Sequence, residues 1–135
     1  MAETETDGEV TPASPETIDV EAAFDAIDEQ WSPRLAAALN GQALKLAVVE
    51  GEFLSHAHPD ADELFYVLDG DLTLAFDDRP DVRLGPGELT VVPSGVEHRP
   101  VAHEETRLLL FEPAATRNTG DRETDETVEE IERVD

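Results

Sequence analysis

Residues 51–70 read GEFLSHAHPDADELFYVLDG, and the two halves of this stretch decide how the chain folds. The second half, ELFYVL at 63–68, is apolar and aromatic, which is the composition of a buried strand. It ends at Asp69-Gly70, a dipeptide suited to a two-residue hairpin turn, and DLTLAF at 71–76 continues the strand pattern. The first half carries His56 and His58. On an extended chain, side chains two apart point to the same face. If that face looks into a small barrel, both imidazoles converge inside it. Glu63 opens the next strand after a Pro-Asp-Ala-Asp loop.

Outward from this stretch the strand signals continue. Upstream, Leu35, Ala37 and Leu39 alternate up to Asn40-Gly41, a strong hairpin turn, and Leu44, Leu46 and Val48 alternate on the return. Downstream, Asp77-Asp78-Arg79-Pro80 turns the chain, and Val82 and Leu84 lead into Gly85-Pro86-Gly87. A strand at 88–92 reaches the corner Pro93-Ser94-Gly95. Short strands at 97–102 and 107–112 follow, and Pro113 ends the run. Short strands at regular spacing predict an all-β sandwich or barrel. Phe65 and Val67 share the parity of Glu63 and are expected to line the interior with Ala102 and with Leu46 or Val48. Tyr66 faces the other way. LFYVL and RLLLF are apolar on both faces, so the outer face should be covered too, by another sheet or another subunit.

The ends differ from this middle. Residues 1–17 are expected to be a disordered acidic tail. Residues 18–33 form a helix or arm, with Ala23, Phe24 and Ile27 at helical spacing and Trp31-Ser32-Pro33 breaking it; Trp31 reads as a core or interface plug rather than a substrate platform. The barrel spans 34–113. Residues 114–135 form a second acidic tail, in which Val128, Ile131 and Val134 allow a short helix over 124–134.

His98 stands 40 residues after His58, past the Pro93-Ser94-Gly95 corner. Three imidazoles and one carboxylate are a competent donor set for a borderline divalent metal. Asp62 competes with Glu63 for the carboxylate place. His103, beside Glu104-Glu105, is expected at the surface.

The spacing of these residues matches a family. Gly51-x4-His56-x-His58-x4-Glu63-x6-Gly70 resembles the first cupin motif, and Gly87-x5-Pro93-x-Gly95-x2-His98 resembles the second. The six-residue step to Gly70 favours Glu63 over Asp62. Two positions depart from the usual pattern. Four residues rather than five separate Gly51 from His56, and Ala102 stands where the second motif usually has Asn. Neither departure removes a metal-ligand type. The chain looks like a small single-domain cupin of the mannose-6-phosphate-isomerase-like subgroup. The resemblance implies a jelly-roll barrel, often a homodimer, with one divalent ion (Fe, Mn, Ni or Zn) held by His56, His58, Glu63 and His98. Imidazole ligation implies metal affinity that falls as pH drops through about 6.

Composition narrows the function. The chain has 135 residues, one domain's worth, and 33 acids against nine bases give a net charge of −24. That disfavours nucleic acid and anionic membranes as partners. The absence of Cys excludes disulfides, thiolate metal sites and Cys nucleophiles. No apolar run approaches a membrane span, and the acidic N-terminus is unlike a signal peptide, so a cytoplasmic protein is expected. Residues 22–118 alone hold 18 acids and seven bases, and Lys45 is the only lysine. Such carboxylate excess resembles proteins of salt-loving organisms; the alternative is an ordinary protein with acidic tails. Two function classes follow. One is a metalloenzyme that oxygenates, isomerises or epimerises a small polar molecule. The other is a non-catalytic module that binds or senses a small molecule or metal. The interior reads as apolar, without a dedicated general base, and that weakens sugar isomerisation.

Overall fold

The structure, a computed structural model, describes residues 14–122, 127–128 and 131–134. Most of the acidic segment expected at 1–17 therefore lies outside the described residues. The expected all-β jelly-roll barrel is what the chain forms. One helix, α1 (Val20–Asp25), precedes strands β1 (Arg34–Leu39), β2 (Gln42–Glu52), β3 (Glu63–Asp69), β4 (Leu72–Ala75), β5 (Val82–Leu84), β6 (Leu89–Val92), β7 (Arg99–Pro113) and β8 (Glu132–Arg133). Strands β1 and β2 form the expected hairpin, with Asn40 at φ 53° and Gly41 at φ 77°. Positive φ at both central residues matches the turn to the right-handed twist of the strands.

Strand β7 is the spine. It pairs antiparallel with β2 on one side and with β3 and then β4 on the other. Two expectations are corrected here. The strands expected at 97–102 and 107–112 are one, because the backbone stays extended through the exposed His103, Glu104 and Glu105. Asp69-Gly70 is not a hairpin turn: β3 and β4 do not pair with each other but follow one another along β7. Gly70 has φ 113°, and a Cβ there would lie 2.6 Å from the Thr106 Cα. The glycine thus lets the chain press against β7 at the point where the pairing of β7 passes from β3 to β4. Asp71 N–H donates to Thr106 Oγ1 (3.0 Å), and His103 N–H donates to the Asp71 carbonyl (2.9 Å).

Two apolar clusters result. The interior holds Ala47, Val49, Phe65, Val67, Leu72, Leu74, Ala102, Leu108 and Leu110 among others. The outer cluster sets Ala23 and Phe24 of α1 against Ala36, Leu46 and Val48. The parity expected for β2 is therefore reversed: Ala47 and Val49 face inward, while Leu46 and Val48 lie under the helix. Six residues cannot hold a helix by themselves. Asp19 caps α1 by accepting from Ala22 N–H (3.0 Å), and Arg107 ties it to β7 through Asp25 (2.6 Å) and over the Phe24 ring.

At the C-terminal end, Glu132 and Arg133 pair in parallel with β1 as a two-residue strand, and none of the described residues of 124–134, the stretch expected to allow a short helix, is helical. No helix among the described residues is long and apolar enough to cross a membrane.

Candidate metal centre

His56 and His58 sit on the segment between β2 and β3, and His98 lies just before β7. The backbone holds these pieces together. His56 and His98 form a two-way bridge, N–H to carbonyl at 3.0 and 2.9 Å. The Gly95 N–H, at the Pro93-Ser94-Gly95 corner, donates to the His58 carbonyl (2.9 Å). Asp62 braces the same corner by accepting from Ser94 N–H (2.9 Å) and is exposed, while Glu63 is buried at the start of β3.

All four expected residues converge. Their donor atoms lie within 4.8 Å of one another, and all four side chains are buried. His58 Nε2 is 3.0 Å and His98 Nε2 3.4 Å from Glu63 Oε1. Neither contact is aligned as a hydrogen bond: His58 Nε2, Glu63 Oε1 and His98 Nε2 have no hydrogen-bond partner among the described residues. Leaving such atoms unsatisfied costs about 1–3 kcal/mol each, so a cluster of three calls for something that accepts their lone pairs. A cation does this. The Nδ1 atoms of His56 and His98 each lie 3.0 Å from a backbone carbonyl, of Leu54 and Val96. A proton on Nδ1 satisfies that bond and leaves the Nε2 lone pair facing the cluster, as in metal-ligating histidines. The residues present thus fit one divalent ion.

The electrostatics agree. Burial, reinforced by the nearby His98, lowers the His56 imidazole to about 4. It is neutral, and able to donate a lone pair, well below the pH of 6.5 at which an ordinary imidazole protonates. Burial alone would raise the Glu63 carboxyl. N–H or cationic character on the facing edges of His58 and His98 outweighs it and holds the carboxyl below the usual carboxylate range; a metal ion bound by their lone pairs would supply that positive charge instead. His103 is exposed and 2.9 Å from the Thr73 hydroxyl, outside the cluster.

Two features were missed by the sequence reading. The interior is not wholly apolar: Lys45 Nζ and Glu112 Oε2 form a buried ion pair at 2.8 Å, and Lys45 also donates to the Thr116 carbonyl. Burial and the Glu63 charge push the Glu112 carboxyl up, against the pull of Lys45. The alternation of Lys45 with Ala43, Ala47 and Val49 on β2 was the available signal. The second feature is the segment after β7, read as acidic tail. It packs onto the site. Asp121 brackets Ala57, its N–H donating to the Ala57 carbonyl (2.8 Å) and its Oδ1 accepting from Ala57 N–H (3.1 Å). A Cβ on Gly120 would lie 2.2 Å from that carbonyl oxygen. This strap fixes the residue between His56 and His58. Nothing in its composition announces a contact so distant in sequence.

Comparison with known proteins gives the same placement. The cupin domain family matches residues 44–112. A cupin-2 domain containing protein from Shewanella frigidimarina is 44% identical and superposes with a TM-score of 0.68, over 71% of this chain and 93% of that one. Protein NMB1881 from Neisseria meningitidis is 31% identical, with a TM-score of 0.67 over 73% of this chain and 99% of that one. The uncharacterized protein YdbB of Bacillus subtilis is 38% identical over 74 residues, which are 55% of this chain and 66% of that protein, just under two thirds of its length.

Proposed function

The chain belongs to the cupin domain family, and from that premise we propose that it is a metal-dependent protein acting on a small molecule. His56, His58, Glu63 and His98 hold one divalent ion, Fe, Mn, Ni or Zn. The observation that carries this reading is the convergence of three buried donor atoms that have no hydrogen-bond partner among the described residues. Four protein ligands on a six-coordinate ion leave about two positions for an oxygen-donor molecule. When bound, the ion supplies Lewis acidity or dioxygen activation. The protein's own part is to keep His56 neutral, Glu63 ionised and bulk water out. Oxygenation fits this interior better than sugar isomerisation, because few polar groups are placed to pair with several hydroxyls.

The alternative is a non-catalytic module that binds or senses a small molecule. A substrate panel with metal-loaded protein separates the two. Turnover supports the enzyme; a ligand-induced thermal shift without turnover supports the module. We also propose a cytoplasmic homodimer. Leu89 and Val91 on β6 are 56% and 50% exposed, and they pair with Tyr66 and Leu64 on β3 to make an apolar outer face. The mannose-6-phosphate-isomerase-like subgroup and a salt-loving source are further parts of the proposal, supported by the motif spacing and the acidic surface.

A further inference from the structure

A cavity of about 40 Å³ lies inside the barrel beside the four-residue cluster. His56 and Glu63 stand at one side of it, and Trp31, Phe53, Val49 and Leu108 are among its walls. The remaining lining is apolar except for Asn118, whose Oδ1 already accepts from Val128 N–H (2.8 Å). Trp31 is held there at some cost. Its φ of 61° is rare for a bulky residue. Three interactions keep it in place. Its N–H donates to the Val48 carbonyl (3.0 Å), its Nε1–H donates to the Glu50 carbonyl (3.0 Å), and its ring stacks on Phe53 at 4.9 Å and 17°. Phe53 in turn meets His56 edge-on at 5.6 Å. A line of rings therefore runs from Trp31 to the site.

We propose that this chamber receives the non-chelating part of the ligand, and that Trp31 is the residue that limits its length. The inference rests on the metal reading above and adds a ligand class: an anionic oxygen-donor head on a short aliphatic tail. A divalent ion beside ionised Glu63 leaves one net positive charge, which suits a monoanionic head. Apolar walls favour a hydrocarbon tail, since hydroxyls there would lose water without gaining partners. About 40 Å³ is room for roughly three waters, at 10–15 Å³ each, and hence for a tail of two or three carbons.

The test uses the full chain loaded with Zn²⁺, with metal content measured first. Calorimetric titrations then compare 2-hydroxy acids that share one chelating head: lactate, 2-hydroxybutyrate, 2-hydroxyhexanoate and gluconate. Affinity is expected to rise about four-fold per methylene while the tail fits, then to fall at 2-hydroxyhexanoate, with gluconate at least ten-fold weaker than 2-hydroxybutyrate. Trp31→Ala should move the optimum to the longer tail at unchanged metal content. Ala47→Val, which fills the chamber from β2, should remove the gain from the tail and still bind zinc; it serves if Trp31→Ala does not fold. Equal binding of gluconate and 2-hydroxybutyrate, or a tail profile unmoved by both variants, overturns the inference. Absence of bound zinc would instead overturn the metal reading.

Discussion

His56 shows what single residues contribute here. Its imidazole is lowered to about 4 by burial and by His98, from an ordinary value of 6.5. The unfolded chain therefore takes up the proton first as pH falls. The stability this group contributes is complete above about 6.5 and is lost as pH falls through about 4. At 1.36 kcal/mol per unit the loss reaches about 3 kcal/mol. Glu112, whose carboxyl is raised, works the other way: its contribution is present at low pH and is lost as pH rises through its folded value. The expected result in metal-free protein is that His56→Gln flattens the fall in stability between pH 7 and 4. Chemical denaturation across that range measures it, and parallel curves for the two proteins would contradict it. The four clustered residues were legible in the sequence because metal ligation fixes both residue type and spacing. Lys45 and Glu112 were not. The parity of Lys45 with Ala43, Ala47 and Val49 is a hint, but nothing local ties it to Glu112 on β7, and each residue by itself reads as surface.

At the scale of elements, strand positions could be read and pairings could not. Alternation locates β1 and β2, and Asn40-Gly41 specifies the turn that joins them. Asp69-Gly70 has the same local chemistry with a different use. What decides between a hairpin and a bend is the neighbour, Thr106, which follows Gly70 by 36 residues. Gly70→Ala tests this reading. The added Cβ meets the Thr106 backbone as well as its side chain, and φ is already 113°, so no rotamer change relieves it. A loss of about 3 kcal/mol or more is expected, by overpacking together with left-handed strain. Gly41→Ala provides the comparison, since nothing lies within 4 Å of a Cβ there and only the φ of 77° opposes it. Equal losses in the two variants would mean that Gly70 serves only as a turn. The parity error on β2 has a similar origin. Both faces of that strand are apolar, because α1 covers the outer one, and alternation alone cannot tell which face is inside.

For the whole molecule the dominant fact is charge. Arg34, Lys45, Arg79, Arg83, Arg99, Arg107 and Arg122 each pair with at least one acid, which leaves more than half of the acids among the described residues without an Arg or Lys partner. Their repulsion opposes the compact state. The Debye length falls from about 30 Å at 0.01 M salt to about 3 Å at 1 M, so stability should rise steeply over the first molar of KCl. A melting temperature that stays flat across such a series would assign the acidic excess to solubility instead. Light scattering tests the homodimer: a mass of two chains is expected, reduced to one by Leu89→Arg, whereas a monomeric parent protein would leave the β6 face unassigned. The central claim concerns the four buried donors, and elemental analysis reaches it most directly. Protein purified without a His tag and reconstituted at neutral pH should carry about one equivalent of a divalent transition metal, as a single four-donor site implies. His58→Ala and His98→Ala should lose most of it, and His103→Ala should retain it. Well under one equivalent in the parent protein, or comparable loss in the His103 variant, would contradict the account.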